Sequence, residues 1–218
     1  MSTPRLSLRA KLTPASPIRK LAGLAVAARQ RGIKIYGLNI GQPDLPTPPA
    51  FFSAIRRYKS STVGYAPSAG EPETIRAWQS YYRSLGLPFR DDQILVTTGG
   101  SEAIMFALFA ATDPGDEVII FEPFYPNYAT FAQLAGIRLR SITLWPERKY
   151  QLPSLAELTR AIGPRTRAFL VCNPDNPTGV VRSPVEIRML LEIARRKNIF
   201  LLADETYREM IFPPARSL

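Results

Sequence analysis

From residue 93 onward the chain alternates between two patterns, and that alternation limits its fold more than any other feature. Short apolar runs at 93–97, 117–121, 137–144, 167–172 and 199–203 are separated by segments that carry helix-start signals. Ser154 with Glu157 and Ser183 with Glu186 have the spacing of capping boxes, and Pro184 sits where a first helical residue needs no N–H. Gly136, Gly163 and Asn198 stand where helices should stop. Strand, helix, strand, helix predicts an α/β domain with a mainly parallel sheet. The runs read as continuous apolar stretches, which predicts flanking helices over both faces.

Upstream the pattern is helical. Residues 17–31 read as a helix with Ser16 as N-cap, Pro17 at its first position, a stripe of Leu21, Leu24, Ala25 and Ala28, and Gly32 closing it. A second helix starts near Pro48 and carries Phe51, Phe52 and Ile55. A third covers 72–85, with Ile75, Trp78, Tyr82 and Leu85 on one side and Gly86 after it.

Composition removes several kinds of chemistry. The chain has no histidine, which excludes Ser-His-Asp hydrolases, Cys-His proteases and His-ligated metals. Cys172 is the single cysteine, so no internal disulfide framework or Cys-based zinc site is expected. Apolar residues at 45% argue against intrinsic disorder. No apolar run approaches the roughly 20 residues of a membrane span, and the first twenty residues lack the apolar core of a secretory signal. The formal charge is +10, but most of the cations are scattered arginines. The densest group, Arg195, Arg196 and Lys197, falls at the end of a predicted helix, where the dipole favours cations. A nucleic-acid surface would want a basic stripe with interleaved aromatics, so no such partner is expected.

In open α/β sheets ligands bind beyond the carboxyl ends of the strands, and four segments lie there. Thr97-Thr-Gly-Gly-Ser-Glu-Ala103 leaves a strand through a glycine pair and enters a helix. It suits either an anion site made of backbone N–H groups or an ordinary tight turn. Glu122-Pro-Phe-Tyr-Pro-Asn-Tyr128 places aromatic rings beside Asn127 as a helix cap, for stacking on a flat ligand or for core packing. Asn173-Pro-Asp-Asn-Pro-Thr-Gly179 forms a dense turn whose Asn side chains can donate hydrogen bonds. Ala203-Asp-Glu-Thr-Tyr207 puts Asp204 at the edge of the interior, where a carboxylate needs a partner. A protonated ring nitrogen or an arginine would serve.

NIGQPD, YAPSAG, VTTGGSEAI, PGDEV, EPFYPNY, NPDNPTG and ADETYRE occur in family order and spacing. Together they make the stretch from Leu6 to Phe212 resemble the N-terminal portion of a class I/II aminotransferase. That family is pyridoxal-phosphate (PLP) dependent and of fold type I, and the resemblance is to its aspartate/aromatic/alanine branch. It implies the family's α/β large domain, incomplete at its C-terminus. Residues 1–48 would be an N-terminal arm and small-domain segment, and 49–218 a partial PLP-binding domain. Gly100, Ser101 and Glu102 would hold the PLP phosphate, and Tyr125 would stack on the pyridine ring. Asn176 and Tyr207 would hydrogen-bond the ring hydroxyl, and Asp204 would pair with the protonated ring nitrogen. Tyr65 would reach a phosphate across a dimer interface. Gly41 lies in the loop lining the substrate carboxylate, where Asn176 would also serve. Amino acid and 2-oxo acid substrates, a homodimer in the full-length family and a cytoplasmic location are implied too.

One departure is large. The family's Schiff-base lysine lies downstream of the ADExY tyrosine in a Ser-x-x-Lys context, yet no lysine follows Lys197. The arginine that pairs with substrate also belongs to the part beyond Leu218. The expectation is a truncated aminotransferase chain, inactive alone. The alternatives are a non-catalytic PLP- or phosphate-binding fragment and one half of a split enzyme. The resemblance also inserts two later strands between 93–97 and 167–172. Without them backbone groups would go unpaired, at about 1–3 kcal/mol each against a total stability of about 5–15 kcal/mol. The isolated chain is therefore expected to be unstable or to need a complementing fragment.

Overall fold

The computed structural model describes residues 4–13, 19–41 and 44–212. Contacts divide the chain into two compact units, Met1–Val26 with Gly99–Leu218, and Ala27–Thr98. In chain order the first four helices are α1 (Leu8–Leu12), α2 (Ala22–Gln30), α3 (Pro49–Arg57) and α4 (Pro72–Ser84). Helix α2 is shorter than its sequence pattern, and Ser16 and Pro17 lie outside the described residues. Gly32 follows it with φ +77°, the left-handed conformation expected of a stop. The α2 stripe is not core: Leu21 and Leu24 are exposed, as are Phe51, Phe52 and Ile55 on α3.

In the smaller unit, α4 begins at Pro72 and buries Ile75. Trp78 stacks on Tyr82 with centroids 5.7 Å apart, and Phe89 meets the Tyr82 ring edge-on at 5.0 Å. The expected strand at 93–97 is not one. Asp91–Gln93 is a 3-10 turn, and Ile94 is extended. Val96 N–H donates to the Ala69 carbonyl at 2.9 Å, in the turn closed by Gly70 N–H on Pro67. An extended run becomes a strand only when a neighbour supplies a ladder, and here its neighbour is a turn.

The larger unit holds α5 (Gly100–Ala111), β1 (Glu117–Glu122), α6 (Asn127–Ala135), β2 (Arg138–Thr143), α7 (Leu155–Ala161), β3 (Thr166–Cys172), α8 (Pro184–Lys197) and β4 (Phe200–Asp204). The sheet is parallel throughout, in the order β2-β1-β3-β4. Val118 and Ile120 of β1 join Leu108, Tyr128, Phe131 and Leu170 in one core cluster. Ile119 and Phe121 point the other way, to Leu158, Phe169, Leu190 and Ile193. Two apolar faces covered by helices are what the continuous runs predict, and each fully buried large side chain contributes about 1.5–3 kcal/mol. Strand β2 departs from that pattern: at the sheet edge, four of its six residues are exposed and only Leu139 and Ile142 are half-buried.

Both capping boxes form. Glu157 N–H donates to Ser154 Oγ at 3.3 Å, and Glu186 N–H to Ser183 Oγ at 3.2 Å. The glutamate carboxylates in turn accept from Ser154 N–H and Ser183 N–H, each at 2.9 Å. Gly136 and Asn198 end α6 and α8 in left-handed geometry. Gly163 does not act this way. Helix α7 stops when Ile162 turns extended, and Gly163 N–H goes to Thr166 Oγ1 at 3.0 Å. One topological expectation is corrected: the β3 edge assigned to two later strands is taken by β4, with Ala168 opposite Phe200 and Cys172 opposite Asp204.

Candidate active site

The register that sets Cys172 beside Asp204 ends both strands at one level. Beyond β3 the chain turns through Asn173-Pro-Asp-Asn-Pro-Thr-Gly179, with cis peptides before Pro174 and Pro177. Asn173 and Asp175 are buried there, so their polar groups need partners. Asn173 N–H donates to the Asp204 carbonyl at 2.9 Å, and its Oδ1 accepts from Arg182 N–H at 2.8 Å. Asp175 Oδ2 accepts from Thr178 N–H at 3.2 Å and from the Thr178 hydroxyl. A loop tied at both ends in this way presents Asn176, half-buried, whose Nδ2 donates to Tyr207 Oη at 3.3 Å.

Asp204, the last residue of β4, is half-buried, and both of its oxygens accept hydrogen bonds. Its Oδ2 accepts from the Tyr128 hydroxyl at 2.6 Å. Its Oδ1 accepts from Thr206 N–H at 3.0 Å and from Thr206 Oγ1–H at 2.6 Å. Thr206 also touches the second half of the site: a Cβ built on Gly100 would lie 3.4 Å from its Oγ1. Helix α5 starts there, after Gly99 with φ +87°, a conformation that suits glycine. The N–H groups of Gly100 and Ser101 have no partner within the helix, and Glu102 sits in the same first turn. A helix N-terminus and a strand-end carboxylate thus lie side by side.

Aromatic groups flank this pair. Tyr125 is half-buried, and its hydroxyl accepts from Asn127 Nδ2 at 2.7 Å. Asn127 is therefore not the cap of α6; Pro126 holds that position and Asn127 is the first helical residue. Tyr125 meets Tyr128 edge-on with centroids 5.5 Å apart. Burial, then the nearby Cys172, Asp204 and Tyr125, hold the Tyr207 hydroxyl above its usual range. Burial first, then the hydrogen bond to Asp204, do the same to Tyr128. Burial and the Asp204 charge push the Cys172 thiol up to about 11. All three therefore stay protonated near neutrality, as donors rather than anions.

In the larger unit Tyr125, Asn176, Asp204 and Tyr207 lie at or beyond the carboxyl ends of β1, β3 and β4, and Gly100, Ser101 and Glu102 open α5 beside Thr206. Gly41 and Tyr65 belong to the smaller unit, and both are exposed. Tyr128 and Thr206 carry contacts that sequence patterns did not single out. The one signal for Thr206 is its place two residues after Asp204, where an aspartate commonly captures a backbone N–H. Such a donor set suits a flat ligand with a phosphate at one end and a cationic ring nitrogen at the other. Among the described residues, no three or more acidic, Cys or His side chains are grouped to hold a metal ion. No helix among them is long and apolar enough to cross a membrane.

Comparison with known proteins points the same way. The family model for class I and II aminotransferases matches residues 33–217. The aspartate/prephenate aminotransferase of Thermus thermophilus is 32% identical over 209 residues, covering 95% of this chain and 54% of that protein. A solved single mutant of Thermus thermophilus aspartate aminotransferase superposes with a TM-score of 0.92 at 31% identity, over 99% of this chain and 57% of that one. The structure of N-succinyldiaminopimelate aminotransferase from Mycobacterium tuberculosis gives 0.86 at 30% identity, over 98% of this chain and 55% of that one. The chain spans about half the length of the relatives it matches.

Proposed function

The chain belongs to the class I and II aminotransferase family, and from that membership we propose that it forms the pyridoxal 5'-phosphate site of an amino acid/2-oxo acid aminotransferase. The observation that carries this reading is the Asp204–Thr206–Gly100 juxtaposition, which sets a carboxylate beside an anion-binding helix start. PLP, when bound, supplies an electron sink for the bonds at an amino acid's α-carbon.

The chain's own residues do the holding. Gly100, Ser101 and Glu102 take the phosphate at the α5 N-terminus, where the dipole and backbone N–H groups favour an anion. Tyr125 covers the ring face. Asn176 and Tyr207 hold the ring hydroxyl oxygen between them. Asp204 would pair with the protonated ring nitrogen, the contact that lets the ring act as an electron sink. Tyr65 serves a phosphate from a partner copy in a homodimer. Gly41 and Asn176 line the substrate carboxylate. Residues 1–48 act as arm and small-domain segment, 49–218 as part of the cofactor domain, and the protein works in the cytoplasm. The Schiff-base lysine and the substrate-pairing arginine are assigned to no residue among 1–218.

Equilibrium dialysis tests the cofactor reading. The chain should bind PLP at one saturable site, more tightly than inorganic phosphate. Asp204→Ala should weaken PLP by roughly 100-fold, after allowance for solvent screening of a half-exposed pair. Equal affinity for PLP and phosphate, indifferent to Asp204→Ala, would reduce the site to an anion pocket and overturn the proposal. Aspartate, named for the Thermus relatives, is the first amino donor to try once a lysine-containing C-terminal fragment is added.

A further inference from the structure

We propose that Tyr128 is a positioning residue for the site, its hydroxyl fixing the Asp204 carboxylate in the orientation that meets a cationic ring; this rests on the PLP reading above. Tyr128 is 1% exposed, and a buried tyrosine hydroxyl needs a partner. Its hydroxyl donates to Asp204 Oδ2, 76 residues further along the chain, at 2.6 Å. That is the length of a charge-assisted O–H···O⁻ bond.

The donor cannot easily move. Phe124 stacks on the Tyr128 ring with centroids 6.4 Å apart and an interplanar angle of 26°, and Tyr125 meets it edge-on at 5.5 Å. The opposite carboxylate oxygen is held by Thr206, from the turn that follows β4. Two rigid elements thus grip the two oxygens, and rotation of the carboxylate about its last side-chain bond is blocked. Thr206 alone would fix one oxygen and leave the plane free to swing about it. A carboxylate held in one orientation keeps the same face toward the ring nitrogen, so the pairing does not depend on a rotation. Tyr128 touches neither the substrate nor the reacting atoms in this account; it acts through Asp204.

The test uses the full chain, PLP labelled with nitrogen-15 in its ring, and four forms: unaltered, Tyr128→Phe, Asp204→Asn and the double variant. Tyr128→Phe keeps the packed ring and removes one hydroxyl. It should weaken PLP binding about tenfold and move the ring-nitrogen resonance toward its unprotonated position. In the Asp204→Asn background the same substitution should change neither. Tenfold weakening with an unmoved ring-nitrogen resonance, or equal effects in both backgrounds, would mean a packing role and overturn the inference while leaving the PLP reading intact. An unaltered chain that binds no PLP overturns both. If Tyr128→Phe does not fold, the hydroxyl proton of Tyr128 in the unaltered chain decides. A slowly exchanging resonance that disappears in Asp204→Ala supports the inference, and the lack of one in the unaltered chain sinks it.

Discussion

Asn173→Ala isolates the clamp that shapes the loop carrying Asn176. The asparagine side chain is 8% exposed, and its Oδ1 is the acceptor for the backbone N–H of Arg182, a residue 2% exposed. Alanine leaves that N–H buried with no acceptor, which costs about 1–3 kcal/mol. The missing amide adds a small void to a packed region. Together these set the loss at roughly 2–3 kcal/mol, a large share of a total of about 5–15 kcal/mol. At this chain length that corresponds to a melting point lower by roughly 5–10 °C. Asn173→Asp keeps the acceptor, yet it brings a charge beside Asp175 and Asp204, so it should not rescue. Urea titration gives the loss, and hydrogen exchange at the Arg182 amide gives its location. A stability unchanged within about 0.5 kcal/mol, the range of ordinary surface substitutions, with Arg182 still protected, would refute the reasoning.

Three other outcomes follow from local geometry. Gly70→Ala should destabilise the smaller unit by roughly 2–4 kcal/mol in urea. Its φ is +111°, and the new Cβ would fall 2.5 Å from Val96 Cβ; an unchanged midpoint would contradict this. Glu186 sits below its ordinary value because, although burial raises it, bonds from Ser183 and Leu152 and the Arg182 charge outweigh burial. A depressed folded value makes its stabilisation fully present above the unfolded value near 4.5 and lost as pH falls through the folded one. Acid titration of stability should therefore be shallower in Glu186→Gln, and parallel curves would count against it. Cys172, buried with its thiol near 11, should resist a disulfide reagent at pH 8 in the folded chain and react fully in urea; rapid reaction of the folded chain would contradict the burial.

What could be read from the sequence was local or periodic. Ser154 and Ser183 are legible because a capping box closes within four residues. The β1 and β3 runs are legible because burial on both faces leaves no polar position in their centres, 118–121 and 168–171. Asn173-Pro-Asp-Asn-Pro-Thr-Gly179 is legible because turn residues keep their preferences wherever they fall. The remainder depends on partners distant in the chain. Nothing near Tyr128 signals that its hydroxyl meets Asp204, because that bond joins an α6 residue to the end of β4. The extended run at 93–97 has a strand's residues, but its hydrogen bond goes to a turn at 67–70. The place of β4 beside β3 is likewise a matter of which edge is filled, and composition does not encode it. At the site, the residues singled out by motif are those whose type already implies chemistry, while Thr206 needed the fold to bring it against Gly100.

Asp204 and the α5 helix start are held to serve the two ends of one small molecule, and a solid-state NMR distance measurement tests that most directly. The chain would carry carbon-13 at the Asp204 carboxylate and nitrogen-15 at the Gly100 amide, with bound PLP labelled in its ring nitrogen. The prediction is dipolar coupling from the ring nitrogen to the carboxylate and from the phosphorus to the amide in one sample, each at about 3–4 Å. Coupling at only one end, or at neither with PLP fully bound, would place the coenzyme elsewhere and contradict the account.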